Sequence, residues 1–68
     1  MKKTYGENLK FWREQKSLTQ TELAKATGLK QQMISWWEAD KGYPNIDFCV
    51  KLADFYQISL DELIGREI

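Results

Sequence analysis

The stretch Thr19–Glu38, TQTELAKATGLKQQMISWWE, decides the fold. Thr19 and Glu22 have the spacing of a capping box. The threonine oxygen accepts from the backbone N–H three residues on, and the glutamate reaches back to the cap. Leu23 and Ala24 begin an apolar face, and Gly28 can take the left-handed conformation that stops a helix. A further helix follows from about Gln31 to Ala39, with Leu29, Ile34 and Trp37 on its apolar side. Gln31, Gln32, Ser35 and Trp36 point elsewhere. The pattern is two short helices around a tight turn, the second opening on glutamines that face outward.

Working outward, caps and periodicity place the other helices. Thr4 with Glu7 is a capping box opening a first helix whose apolar face is Leu9 and Trp12, with Tyr5 at its entry. That helix fades at Lys16-Ser17, and Leu18 is a buried plug before the next cap. Residues 40–44, DKGYP, form a loop, since glycine and proline this close together end a helical pattern. Asn45 caps a fourth helix with Ile46, Cys49, Leu52, Ala53 and Tyr56 on one face. Ser59 and Glu62 open a short last helix carrying Leu60, Leu63 and Ile64, which Gly65 stops. No segment alternates with period two over strand length, so the fold class is all-α. A single domain over 1–68 is expected, with its core over about 5–65.

Composition removes several functions. The 68 residues support one core, near the lower limit for independent folding, and a hydrophobic fraction of 43% excludes disorder. One cysteine, Cys49, and no histidine leave no intrachain disulfide and no Cys/His metal site. No cofactor is called for. An enzyme is not expected either, because no nucleophile has a base beside it and no glycine loop could cradle phosphate. No run of about eighteen apolar residues exists to span a membrane. The opening MKKTYGEN lacks the apolar segment of a secretory signal, so a cytoplasmic location is expected. Net charge is zero but unevenly spread. Residues 1–30 carry seven Lys/Arg against three Glu, a net +4, whereas residues 45–68 carry two against five, a net −3. The basic half contains the two-helix motif, which suits an anionic partner on that side.

The pattern Leu9, Arg13, Leu18-Thr19-Gln20, Glu22-Leu23-Ala24, Gly28, Ile34-Ser35-x-Trp37-Glu38, Pro44, Leu52-Ala53 and Ile58-Ser59-Leu60-Asp61-Glu62-Leu63 resembles the phage repressor and Cro family of helix-turn-helix proteins. The resemblance implies a five-helix, lambda-repressor-like domain of a prokaryotic transcription regulator. In such proteins the third helix enters the DNA major groove, and a homodimer binds two half-sites.

Carried onto this chain, the resemblance assigns base contacts to Gln31, Gln32, Ser35 and Trp36. A glutamine amide is donor and acceptor together, so it can pair with N7 and N6 of adenine. Ser35 lies one turn after Gln31, on the same face. Trp36 stands where the family is usually polar; it can pack on a thymine methyl or fold back over Gln32. Thr19, Gln20, Lys30, Lys41 and Lys10 are the candidate phosphate contacts. Arg13 and Glu38 are expected to pair, as their matches do in similar repressors. Phe11, Phe48 and Phe55 fit no core face. Phe48 and Phe55, with Ile64, are the candidate dimer contact, and the alternative is local packing of the rings.

Two positions depart from the family. Lys30 cannot cap the third helix, at a cost of about 1 kcal/mol. Asp40 stands where similar sequences prefer a left-handed glycine, and its charge is expected to weaken binding to phosphates. No effector domain is expected in these 68 residues, so repression by occupancy is the expected mechanism. The competing function is a protein-interaction module such as an antitoxin, favoured by zero net charge, Asp40 and the aromatic rings.

Overall fold

The computed structural model describes residues 3–65. It contains α1 (Tyr5–Gln15), α2 (Gln20–Thr27), α3 (Gln31–Glu38), α4 (Ile46–Tyr56) and α5 (Leu60–Ile64), with no strand among the described residues. The starts are where side-chain oxygens can replace missing helix acceptors. Thr4, Thr19 and Ser59 each accept from the third helical N–H, and Glu7, Glu22 and Glu62 each return a bond to the cap backbone. Asn45 caps α4 through the Phe48 N–H at 2.9 Å.

The helix ends follow a common device. Ser17, Asp40 and Gln57 are left-handed, at φ of 56°, 60° and 58°, and Gly28 joins them at 75°. After α3, the Lys41 N–H reaches the Trp36 carbonyl at 2.9 Å and the Asp40 N–H reaches Trp37 at 3.2 Å. This paired bonding is a Schellman motif, and α1 and α4 end the same way. Ala39 is therefore the C-cap of α3, whose last helical residue, Glu38, lies one residue inside the end expected from periodicity.

α1 packs on α3 and α5, α2 on α3 and α4, and α4 on α5. Leu9, Leu23, Ile34, Trp37, Leu52, Ala53 and Leu63 meet in the core, where Leu63 is fully buried. Leu18, Met33, Ile58 and Trp12 pack around it. The Trp12 indole N–H and the Asn8 amide both donate to the Glu62 carbonyl, at 3.0 and 3.1 Å, so α1 holds the last turn of a five-residue helix.

One expectation from periodicity is corrected. Ile46 is 66% exposed, because it is the first residue of α4 and projects beyond the packed faces. On α5 only Leu63 is buried, since so short a helix presents a single residue to the core. The phenylalanines, which fit no core face in the sequence, are half-buried and pack locally. The Phe48 ring lies 5.6 Å from that of Trp37, Phe55 meets Tyr56 edge-on at 5.3 Å, and Phe11 meets Trp12 at 5.2 Å with the Lys3 ammonium above it. Large rings on the shoulders of a small domain cover the core edge, extending the apolar arc beyond the central stripe.

Candidate nucleic-acid interface

α3 is held from both ends. Its buried side, Ile34 and Trp37, faces α1 and α2, leaving Gln31, Gln32 and Trp36 exposed on the other. At its far end α1 approaches so closely that only glycine fits at position 6. A Cβ on Gly6 would lie 2.6 Å from the Trp37 carbonyl oxygen, and it would also overlap the Glu38 carbonyl. The Gly6 N–H donates to the Asp40 carboxylate at 2.7 Å. Asp40 thus caps α1, and its charge sits at the positive end of that helix. The Asp40 carboxylate is therefore engaged by a backbone donor within the protein while keeping its charge.

Arg13 and Glu38 face each other as a bidentate pair. Arg13 Nε donates to Glu38 Oε2 at 2.7 Å and Nη2 to Oε1 at 2.8 Å, with side chains only 11% and 6% exposed. The third donor, Arg13 Nη1, reaches the Leu18 carbonyl at 2.7 Å. One guanidinium therefore ties together the end of α3 and the loop entering α2. The carboxylate raises the Arg13 pKa further through its hydrogen bond, against the opposing effect of burial.

Gln20, in the first turn of α2, continues this network. Its Nε2 donates to Glu38 Oε1 at 3.1 Å, and its Oε1 accepts from Gln31 Nε2 at 2.9 Å. The amide that sequence reasoning aims at a phosphate is thus largely committed to bracing Gln31, with one N–H left over. Gln31 keeps its own Oε1 and one N–H outside these bonds.

The other candidates surround this point. Gln32, Trp36, Thr19, Lys30, Lys41 and Lys10 are exposed, with Trp36 at 49%. Ser35 is half-buried and lines, with Lys10, Arg13, Gln20 and Glu38, a polar cleft of about 240 Å³. The Thr19 oxygen is occupied as the cap of α2, accepting from Glu22 N–H at 3.1 Å. Lys30 makes no side-chain cap bond, so α3 opens with backbone donors unmet by the side chain before it. Ile64 lies exposed on α5, while Phe48 and Phe55 are half-buried with their rings packed against the core.

Gly6 was missed by sequence reasoning. The signal available was a glycine inside the first turn of a helix, where it costs about 1 kcal/mol relative to alanine without a compensating reason. The double engagement of Gln20 had no sequence signal beyond the presence of an amide.

Among the described residues, no group of histidine, cysteine or acidic side chains could hold a metal ion, and no helix is long and apolar enough to cross a membrane.

Comparison with known proteins agrees with this architecture. A helix-turn-helix family model matches residues 9–63. The chain is 36% identical over 63 residues to the HTH-type transcriptional activator BcrR of Enterococcus faecalis, covering 93% of this chain and 31% of that protein. It is 38% identical over 48 residues to the cryptic phage CTXphi transcriptional repressor RstR of Vibrio cholerae, covering 71% and 43%. The transcriptional regulator ImmR of Bacillus subtilis is 32% identical over 62 residues, with coverage of 91% and 49%. The chain therefore spans less than half the length of these three relatives. A crystal structure of a transcriptional regulator from Listeria innocua superposes with a TM-score of 0.84 at 20% identity, over all of this chain and 64% of that one. On the family match and the five-helix architecture together, this chain belongs to the helix-turn-helix family of the phage repressor and Cro type.

Proposed function

We propose that the chain is a sequence-specific double-stranded DNA-binding domain of a transcription regulator, reading bases through α3. The observation that carries this is the placement of Gln31 and Gln32. Both are exposed at the leading end of a helix whose opposite side, Ile34 and Trp37, is buried. The unengaged Oε1 and N–H of Gln31 match the N6 donor and N7 acceptor of adenine. Lys10, Lys30 and Lys41 are exposed cations for flanking phosphates, and Thr19, Gln20 and Ser35 supply neutral donors. Trp36 offers an apolar face to a thymine methyl.

The regulator acts as a homodimer on an inverted repeat, with half-site centres roughly 34 Å apart. Ile64 and its exposed neighbour Leu60, one turn away on α5, are the apolar residues offered for the dimer contact, with the half-buried edges of Phe48 and Phe55 as its flanks. Occupying a site is enough to block transcription, so repression is the proposed outcome. The relatives carry both signs in their names, activator and repressor.

Selection from random DNA at controlled salt tests the proposal. An enriched palindrome is expected, with affinity falling roughly 10³-fold between about 50 and 200 mM salt if six or more phosphates are neutralised. No enrichment, or binding indifferent to salt, would favour the protein-interaction module instead. Replacing Gln31 with alanine is expected to relax base preference at one position by about 1–3 kcal/mol, whereas Lys41→Ala weakens all sequences alike.

A further inference from the structure

We propose that the buried Arg13–Glu38 pair sets which way round the Gln31 amide faces the DNA, making Glu38 a specificity-determining positioning residue that touches no base. The inference rests on the DNA-binding reading of α3. It follows from the donor and acceptor inventory of four side chains in series.

Arg13 can only donate and an ionised Glu38 can only accept. The carboxylate receives Arg13 Nε on Oε2 and both Arg13 Nη2 and Gln20 Nε2 on Oε1. Gln20 must therefore turn its NH₂ toward Glu38. Because the two ends of an amide point apart, its carbonyl oxygen is then directed to Gln31, which must donate in turn. With one N–H spent on Gln20, Gln31 presents one oxygen and one N–H outward. That acceptor–donor pair suits adenine N6 and N7. In the reverse orientation the Gln31 oxygen would be spent and two N–H groups would face out. Two donors suit O6 and N7 of guanine instead.

An unbraced glutamine at this position presents either face, since the two ends of an amide are nearly the same shape. The polarity thus comes from a pair whose side chains are 11% and 6% exposed, transmitted through one bridging amide. Lys10, the other cation lining the same cleft, is donor-only and cannot reverse the chain of bonds.

Selection from random DNA with the whole chain tests this, comparing the wild type with Gln20→Met and with the double variant Arg13→Met/Glu38→Gln. Gln20→Met cuts the bridge and leaves the ion pair intact. The double variant replaces the ions with a thioether and an amide that can point either way. The expected wild-type result is an adenine that Gln31→Ala abolishes, preferred over guanine by about tenfold or more. In both variants that ratio is expected to fall to within about two- to threefold, while the other positions keep their relative preferences. Gln20→Met also lowers affinity for all sequences alike, because it removes a phosphate donor. Circular dichroism melting establishes that each variant is folded, and if the double variant is not, Gln20→Met decides alone. An unchanged adenine-to-guanine ratio in a folded Gln20→Met protein, with Gln31→Ala still abolishing the preference, overturns this inference and leaves the DNA-binding reading standing. A wild type that enriches no sequence overturns both.

Discussion

Gly6 and Tyr56 show how far single side chains control this small domain. At Gly6 the α1 backbone lies against the last carbonyls of α3. Gly6→Ala would gain helix propensity in isolation, but here its methyl meets backbone that cannot step aside. The expected result is a loss of about 1–3 kcal/mol in urea unfolding, the range for overpacking. Tyr56 is the opposite case. Its hydroxyl is buried with no hydrogen-bond partner among the described residues, and its pKa is raised by burial and by the nearby Glu38 charge. Tyr56→Phe removes an unpaired polar group while keeping the ring. Stability is expected to rise by about 1 kcal/mol, seen as a higher urea midpoint at unchanged slope. A drop in that midpoint would mean that the hydroxyl has a partner in solution.

Among the helices, α3 is the one whose start is least satisfied. Lys30 at its N-cap gives no side-chain bond. Lys30→Ser is expected to add about 1 kcal/mol of stability through the missing cap. On the DNA-binding proposal it also removes a phosphate contact, lowering the slope of log affinity against log salt by about 1. Thermal melting and salt titration of one variant thus separate the two roles. α2 shows the effect of a completed cap. Glu22 has its pKa held below the ordinary 4.5, chiefly by its bond from the Thr19 backbone. A depressed carboxylate contributes stability that is complete above its unfolded value and lost as pH falls through the folded one. Unfolding curves should therefore show the Glu22 contribution fading only below about pH 4.5, and Glu22→Gln should flatten that acid limb.

For the assembled molecule, the proposed dimer makes the most exposed prediction. Ile64→Asp puts a charge on the exposed apolar side of α5 without touching the buried Leu63. Sedimentation should show loss of dimer at unchanged melting temperature, with DNA affinity falling because the two half-sites are no longer linked. An unaltered sedimentation profile would place the contact elsewhere.

Much of this architecture can be read along the chain. Thr4, Thr19, Asn45 and Ser59 announce the helix starts, Gly28 and Gly65 announce stops, and Leu23, Ile34, Trp37 and Leu52 mark the inward faces. These are local signals, because capping and periodicity act within a few residues. They determine the number and order of helices and which residues of α3 are turned outward. Ile46 escaped that logic, since its period matched the core while its place at the helix start did not. The same holds for the partners that give the site its form. Gly6 meets Asp40 across 34 residues, Gln20 meets Glu38 across 18, and Gln31 meets Gln20 across 11. No propensity encodes such pairings, which arise when packed helices bring distant donors and acceptors within bonding distance. Asp40 follows α3 in the sequence with no partner in view, and only the packing of α1 gives its carboxylate the Gly6 N–H. Gln20 read as a phosphate-contacting amide, and only the closing of α1, α2 and α3 gave it Glu38 and Gln31 as partners.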